Sequence, residues 1–109
     1  MTFRVEFSAE AEEELDVAAV WFDEQRPGLG SEFLEAIEEI LSLLAVWPRT
    51  GSIIEDTPAN LEIRRAPVSR FRFYVGYLVL DDRVRVLAVA HHHRKPGYWH
   101  QRVGRGKGG

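Results

Sequence analysis

The stretch VRVLAVAHHHRKPGYW, residues 84–99, places three histidines, an arginine and a tyrosine directly after an apolar run. Imidazole changes charge near neutral pH and could act as a general base or acid; the three candidates are His91, His92 and His93. The guanidinium of Arg94 could hold a phosphate group, and Tyr98 could stack on a base or donate a proton. A strand that ends in such residues is a common way to build a site on a sheet.

Metal-free cleavage of RNA is one reaction that these residue types could perform. It needs a base for the 2′-hydroxyl, cations that hold the phosphate, and an acid for the leaving oxygen. Two further cations, Arg64 and Arg65, could help Arg94 to hold the phosphate. His91 and His93 could share a metal ion, but no Asp or Glu stands nearby to complete the ligand set. We therefore expect neither a metal nor another cofactor.

Strand geometry predicts which histidines share a surface. If the strand persists, His91 and His93 project to one face and His92 to the other. The first face also carries Leu87 and Val89. Because one face of the sheet must pack against the helices, all three histidines cannot serve the same surface site.

Each of these residues also has a structural explanation. A histidine at a strand end is commonly a hydrogen-bonded structural residue, and Tyr98 and Trp99 could pack over the edge of the sheet. Trp21 and Trp47 are expected to pack between helices. The remaining strand and turn arginines are expected to be exposed, and some could meet an acidic partner: Arg70, Arg72, Arg83 and Arg85.

Composition limits the class of protein. A chain of 109 residues suits one domain, and without cysteine it has no disulfide, thiolate metal site or cysteine nucleophile. No apolar run approaches the roughly 18 residues that span a membrane, and the charged first ten residues are unlike a signal peptide. We expect a cytoplasmic protein with no membrane partner.

The net charge of −3 hides an uneven distribution. Residues 1–60 carry three arginines against fourteen acids, a net charge of −11, whereas residues 61–109 carry eleven cations against three acids, a net charge of +8. The basic half predicts a nucleic acid or an acidic peptide as partner. The alternative is that the two halves neutralise each other across the fold.

Hydrophobic periodicity predicts the elements that position the candidate residues. Alternation over residues 3–7 predicts a strand, and Ser8 is the expected N-cap of the first helix. Proline and glycine in residues 27–30 end this helix, Ser31 can cap a second one, and Pro48 follows its end. The two helices should form an antiparallel hairpin.

The second half of the chain has a period of two. Residues 50–60 predict a loop, residues 61–68 a strand that Pro67 places at an edge or bends, and residues 71–79 the clearest strand. The last predicted strand, residues 84–92, is apolar on both faces from Val84 to Ala90 apart from Arg85, which predicts an interior position in the sheet.

Together these elements give an α+β domain of order β-α-α-β-β-β, with a helical hairpin packed on a mainly antiparallel four-stranded sheet. We assign this domain to residues 1–102 and predict a flexible, glycine-rich tail over residues 103–109.

This order, with its terminal motif, resembles toxins of the RelE/ParE superfamily, the toxic partners of type II toxin–antitoxin modules. The similar segments include the helix opening at residues 7–11, the turn at residues 48–51, the strand that begins Ile63-Arg64-Arg65, and the strand at residues 71–77. The terminal motif His-x-x-Arg-x-Pro-x-Tyr-Trp is represented by His91, Arg94, Pro96, Tyr98 and Trp99.

The resemblance implies a cognate antitoxin, with an acidic or amphipathic segment that folds on the toxin in a hetero-oligomer. ParE-type members inhibit DNA gyrase, whereas RelE-type members cut messenger RNA on the ribosome. The terminal motif and the net acidity are closer to ParE, so gyrase inhibition is the first expectation. A metal-independent messenger RNA endonuclease is the second, and a relative that binds antitoxin without toxicity is the third.

Site residues follow from the resemblance for each activity. Arg94 and Tyr98 match the terminal arginine and tyrosine of RelE, whereas His92 falls near a position where RelE has another arginine. The catalytic set of a nuclease would be Arg64, Arg65, His91, His92, Arg94 and Tyr98. The set expected to bind a target or the antitoxin is Arg64, Arg65, Arg72, Tyr74, His93, Arg94, Tyr98 and Trp99.

Overall fold

Two helices pack on one sheet in the computed structural model, which describes residues 2–55, 57–58, 60–94, 98–99 and 102. In chain order the elements are β1 (Arg4–Phe7), α1 (Ala9–Gln25), α2 (Leu29–Val46), β2 (Ser52–Ile53), β3 (Glu62–Val68), β4 (Phe73–Val79) and β5 (Arg83–His91). The predicted α+β architecture is confirmed. The predicted tail and the motif residues 95–97 lie outside the described residues.

The sheet has five strands instead of the predicted four, in the order β1-β5-β4-β3-β2. The additional strand, β2, lies in the segment that we predicted to be a loop and pairs with Arg64 and Arg65. Two residues are too few to show a period, which is why the sequence does not reveal this strand. β1 runs parallel to β5, and the other pairs are antiparallel, so the mainly antiparallel character is confirmed.

β5 lies between β1 and β4, which confirms its predicted interior position. Pro67 pairs with Tyr74 of β4, beyond the two β3 residues that β2 covers. A proline is tolerated there because its missing N–H costs no ladder hydrogen bond at an open edge.

Helix α1 begins where predicted. The Ser8 hydroxyl accepts a hydrogen bond from the Ala11 amide at 3.1 Å, and the Ser8 amide donates to the Val86 carbonyl at 2.9 Å. The serine therefore caps the helix and also joins its first turn to β5.

Helix α2 begins at Leu29, earlier than the cap that we predicted at Ser31. Its N-cap is Gly28 with φ of 92°, a left-handed conformation that glycine adopts at little cost. The Asp23 carboxylate accepts hydrogen bonds from the amides of Gly28 and Gly30 at 3.1 and 2.9 Å. The Asp23 side chain of the preceding helix therefore provides the capping hydrogen bonds that we expected from Ser31.

A β-bulge changes which residues of β5 face the helices. The pairing register of β4 and β5 shifts between Gly76 and Tyr77, and Leu87 is left without a partner on β4. Leu87 packs on the sheet face away from the helices, whereas Val89 packs towards them. The prediction that these two residues share a face is wrong, because the bulge adds one residue to the strand.

The three tryptophans differ in exposure, which their residue type alone does not predict. Trp21 and Trp47 are 53% and 65% exposed, so their predicted packing between helices is wrong. Trp99 is completely buried, and a Cβ added to Gly76 would clash with the Cζ2 atom of its ring. Glycine at position 76 leaves the room that the indole fills.

Candidate functional site

An open groove of about 580 Å³ separates α1 from the C-terminal end of β5. Its apolar lining includes Val17, Trp21, Phe73 and Val89. A second hollow of about 530 Å³ shares Trp21, Phe73 and His91 with it and extends to the turn between β3 and β4. We call the two hollows together the α1 groove.

The walls of the α1 groove carry opposite charges. Glu10, Glu13 and Glu14 of α1 form one wall. The facing wall comes from the end of β5, the C-terminal segment and the β3–β4 turn, and its cationic or titratable residues are Arg70, Arg72, His91, His93, Arg94 and Arg102. The fold therefore places acidic residues of the first half and basic residues of the second half of the chain on opposite sides of one groove.

Glu14 joins α1 to both β5 and the C-terminal segment. Its carboxylate accepts hydrogen bonds from the Tyr98 hydroxyl at 3.0 Å, from the Arg102 guanidinium at 3.0 and 3.2 Å, and from the Val89 amide at 3.0 Å. The side chains of Glu14 and Arg102 are only 24% and 11% exposed. Our sequence-based site omits Glu14, because its partners stand 75 to 88 positions away and leave no local pattern.

Tyr98 is held in its protonated form. Burial raises its pKa, and the charge of Glu14 and the hydrogen bond to it raise the pKa further. The Arg94 guanidinium lies 4.0 Å from the centre of the Tyr98 ring, a cation–π contact. Tyr98 is therefore placed to support Arg94 and poorly suited to exchange a proton near neutral pH.

The three histidines are exposed at the end of β5. His91 and His93 stack with ring centres 5.1 Å apart, and the His93 amide donates to Nδ1 of His91 at 3.2 Å. The His92 amide donates to the Arg72 carbonyl at 2.6 Å and so joins the end of β5 to the β3–β4 turn. His91 and His93 line the α1 groove, and His92 does not.

The structure places Arg64 and Arg65 away from the histidines. Arg64 pairs with Glu62 at 2.8 Å, donates to the Gly51 carbonyl at 2.6 Å and is only 16% exposed. It lies level with Tyr77, four residues along β4 from the partner of His91, which is a separation of about 13 Å along the strand.

Arg65 is exposed, and its guanidinium lies 5.5 Å from the ring centre of Tyr74. The Tyr74 ring belongs to the cluster on the sheet face away from the helices. The six residues of the predicted nuclease set are therefore not assembled around one point.

Two residues of the predicted binding set are buried. Trp99 is 0% exposed and Tyr74 is 3% exposed. The indole N–H of Trp99 donates to the Tyr74 hydroxyl at 2.9 Å, and that hydroxyl donates to the Arg94 carbonyl at 3.1 Å. In this arrangement both side chains act by positioning the backbone of Arg94.

Alkaline pH should destabilise the protein through its tyrosines. Burial is the largest cause that raises the pKa of each of the three tyrosines, Tyr74, Tyr77 and Tyr98. Their stabilising contribution is complete below the ordinary pKa of about 10 and is lost as the pH rises through the folded-state pKa. We expect phenolate absorbance to appear above pH 10 together with the loss of far-ultraviolet circular dichroism. A phenolate step near pH 10 with an unchanged dichroism spectrum would contradict this.

Within the part of the chain that the structure describes, no three His, Asp or Glu side chains are grouped as ligands for a metal ion. In the same residues, neither helix is both long enough and apolar enough to cross a membrane.

Comparison with known proteins connects this fold to toxins. The family model described as ParE toxin of type II toxin-antitoxin system, parDE, matches residues 5–96. No curated protein sequence gives a significant match.

The solved structures that share the fold include the following two. A chain of the chromosomal ParDE TA system from P. aeruginosa aligns with a TM-score of 0.68 and 15% identity, over 83% of this chain and 96% of that one. The YoeB dimer from Staphylococcus aureus gives a TM-score of 0.52 and 17% identity, over 85% of this chain and 100% of that one. At these identities the similarity is one of fold.

Proposed function

The chain belongs to the ParE toxin family of type II toxin–antitoxin systems, and from this membership we propose that it arrests growth by binding DNA gyrase. The predicted resemblance to RelE/ParE toxins is confirmed by the family match. We further propose that a cognate antitoxin neutralises the toxin by occupying the α1 groove. Such a target would place its action in the cytoplasm.

One observation supports gyrase binding over RNA cleavage: the residues of the predicted nuclease set lie apart from one another. Arg64 is tied to Glu62 and stands level with a different part of the sheet from His91. Tyr98 donates its hydroxyl hydrogen to Glu14 and has a raised pKa. Cleavage needs a base, an acid and phosphate-binding cations around one phosphate, whereas binding needs only a complementary surface.

A messenger RNA endonuclease is the second candidate, and one feature favours it. His91, His93 and Arg94 are exposed together at the end of β5, where a phosphate could approach them. In that activity a histidine would exchange the proton and Arg94 would hold the phosphate. The catalytic site would then exclude Arg64, because its guanidinium is already bound to Glu62.

Induction of the chain in a bacterial host tests both candidates. We expect growth arrest with relaxed or broken DNA and intact messenger RNA, measured by plasmid supercoiling and by mapping of RNA ends. Arg94→Ala should reduce the arrest at equal expression. Arg26→Ala is the matched control, because Arg26 is exposed and pairs only with Glu32 among the residues that the structure describes.

Each other outcome of this experiment has a defined meaning. Cut messages with normal DNA would replace gyrase binding by the endonuclease. Normal growth at full expression would support the third possibility, a relative that binds antitoxin without toxicity. Relief of the growth arrest when an antitoxin encoded next to the toxin is expressed with it would support the proposed antitoxin partner.

A further inference from the structure

We propose that the α1 groove accepts an amphipathic helix whose apolar stripe has carboxylates along one flank and cations along the other. The proposal rests on the proposed function, because the natural source of this helix would be the antitoxin. It names the chemistry of the occupant, which family membership alone does not provide. The argument comes from the exposed apolar stripe of α1 and from the opposite charges of the groove walls.

The outer side of α1 is apolar where a surface helix is normally polar. Val17, Val20 and Trp21 are 63%, 61% and 53% exposed, and Val20 and Trp21 follow Val17 by three and four positions, which places all three on one side of the helix. Val17 and Trp21 also line the groove. An apolar stripe of this spacing can pack against the apolar stripe of a second helix, which is one of the recurring ways in which a groove binds a partner. From Glu10 to Trp21 the groove follows about 16 Å of α1, so three turns of a partner would cover it.

The α1 wall requires cations on the facing flank of the partner. Glu13 is exposed, lines the groove and makes no salt bridge with any residue that the structure describes. Glu14, in contrast, is already neutralised by Arg102. A lysine or arginine of the partner can therefore pair with Glu13 without displacing a contact within the toxin.

The opposite wall requires carboxylates. Arg94 is exposed and lies over the Tyr98 ring, and Arg72 is exposed in the turn; neither forms a salt bridge among residues 2–55, 57–58, 60–94, 98–99 and 102. Arg70 differs, because Glu32 binds it at 2.7 Å. The turn holds both Arg70 and Arg72 at positive φ, 77° and 53°.

The opposite charges of the two groove walls favour a helix with both kinds of charge over the acidic segment or nucleic acid that the sequence alone indicates. A polyanion would be attracted by Arg72 and Arg94 but repelled by Glu13 a groove width away. A helix with both charges satisfies both walls and is fixed in its rotation about its own axis.

Four probes test the charge pattern on the purified full-length chain. Three synthetic helical peptides share one apolar stripe and carry lysine on both flanks, glutamate on both flanks, or lysine on one and glutamate on the other; the fourth probe is a short single-stranded RNA. Fluorescence anisotropy at low salt measures each affinity. We expect the mixed peptide to bind tightest and to weaken as salt is added.

Single neutralising substitutions should give a crossed result. Glu13→Gln should weaken the lysine peptide about two- to fivefold and not weaken the glutamate peptide, and Arg72→Gln should do the reverse. Glu38→Gln is the matched control, because Glu38 is exposed on α2 and does not line the groove. Circular dichroism verifies that each variant is folded.

Equal affinities for the three peptides, or tightest binding of the lysine peptide, the glutamate peptide or the RNA, would overturn the inference. The peptide-binding assay does not depend on growth arrest, so the proposed charge pattern and the proposed toxicity can fail separately. A toxin that arrests growth but ignores flank charge refutes only the charge pattern. A chain with the crossed pattern that leaves growth unchanged refutes only the proposed toxicity.

Discussion

Trp99→Ala is expected to lower the free energy of unfolding by about 3–5 kcal/mol, the range for removing a large buried aromatic side chain. The Trp99 side chain is completely buried against Gly76, so its loss leaves a cavity on the face of the sheet away from the helices. The substitution also removes the hydrogen bond from the indole N–H to the Tyr74 hydroxyl. Urea unfolding followed by circular dichroism measures the change.

Trp47→Ala is the matched control for this prediction. Trp47 is 65% exposed, so its removal should change the free energy of unfolding by no more than about 0.5 kcal/mol. If Trp99→Ala fails to fold, Trp99→Phe supplies a milder measurement, because it keeps part of the ring volume and deletes the N–H. Equal effects of the alanine substitutions at Trp99 and Trp47 would show that Trp99 is not a core residue.

Much of the fold could be predicted because alternation and capping are local signals. Ser8 precedes an apolar stripe with helical spacing, and it caps α1. In β4, Val75 and Tyr77 alternate with Tyr74 and Leu78, and the two pairs pack on opposite faces of the sheet as predicted. Such patterns depend on neighbours within a few positions, so the sequence shows them directly.

Features set by distant residues could not be predicted in the same way. The bulge at Leu87 depends on how β5 pairs with β4, and the cap of α2 depends on Asp23 of the preceding helix. Alternation alone gave Leu87 the wrong face, and the preference of helices for a serine cap gave Ser31 the wrong role.

The candidate site was predicted in part for the same reason. The terminal motif pointed to His91, His93 and Arg94, which the structure brings to one groove. Residue type alone could not show that Arg64 is neutralised by Glu62, two residues earlier on the same strand. It also could not show which tryptophan is buried, because the burial of Trp99 depends on its packing against Gly76, a residue distant in sequence.

Glu14→Ala is expected to lower the free energy of unfolding by about 2–3 kcal/mol. The substitution leaves the largely buried Arg102 guanidinium without its carboxylate and removes the acceptor of the Tyr98 hydroxyl and the Val89 amide. Breaking a fully buried ion pair from one side costs about 3–5 kcal/mol, and the partial exposure of Glu14 reduces this value. Thermal and urea unfolding should agree on the loss.

Glu13→Ala is the control, because Glu13 is the exposed neighbour on the same turn of α1 and should change stability by no more than about 0.5 kcal/mol. A second readout separates a specific contact from general damage. In Glu14→Gln the pKa of Tyr98 should fall towards its ordinary value, because the carboxylate charge that raises it is gone. If the pKa of Tyr98 is unchanged, Glu14 does not hold the C-terminal segment. The cation–π support of Arg94 would then have to arise without help from α1.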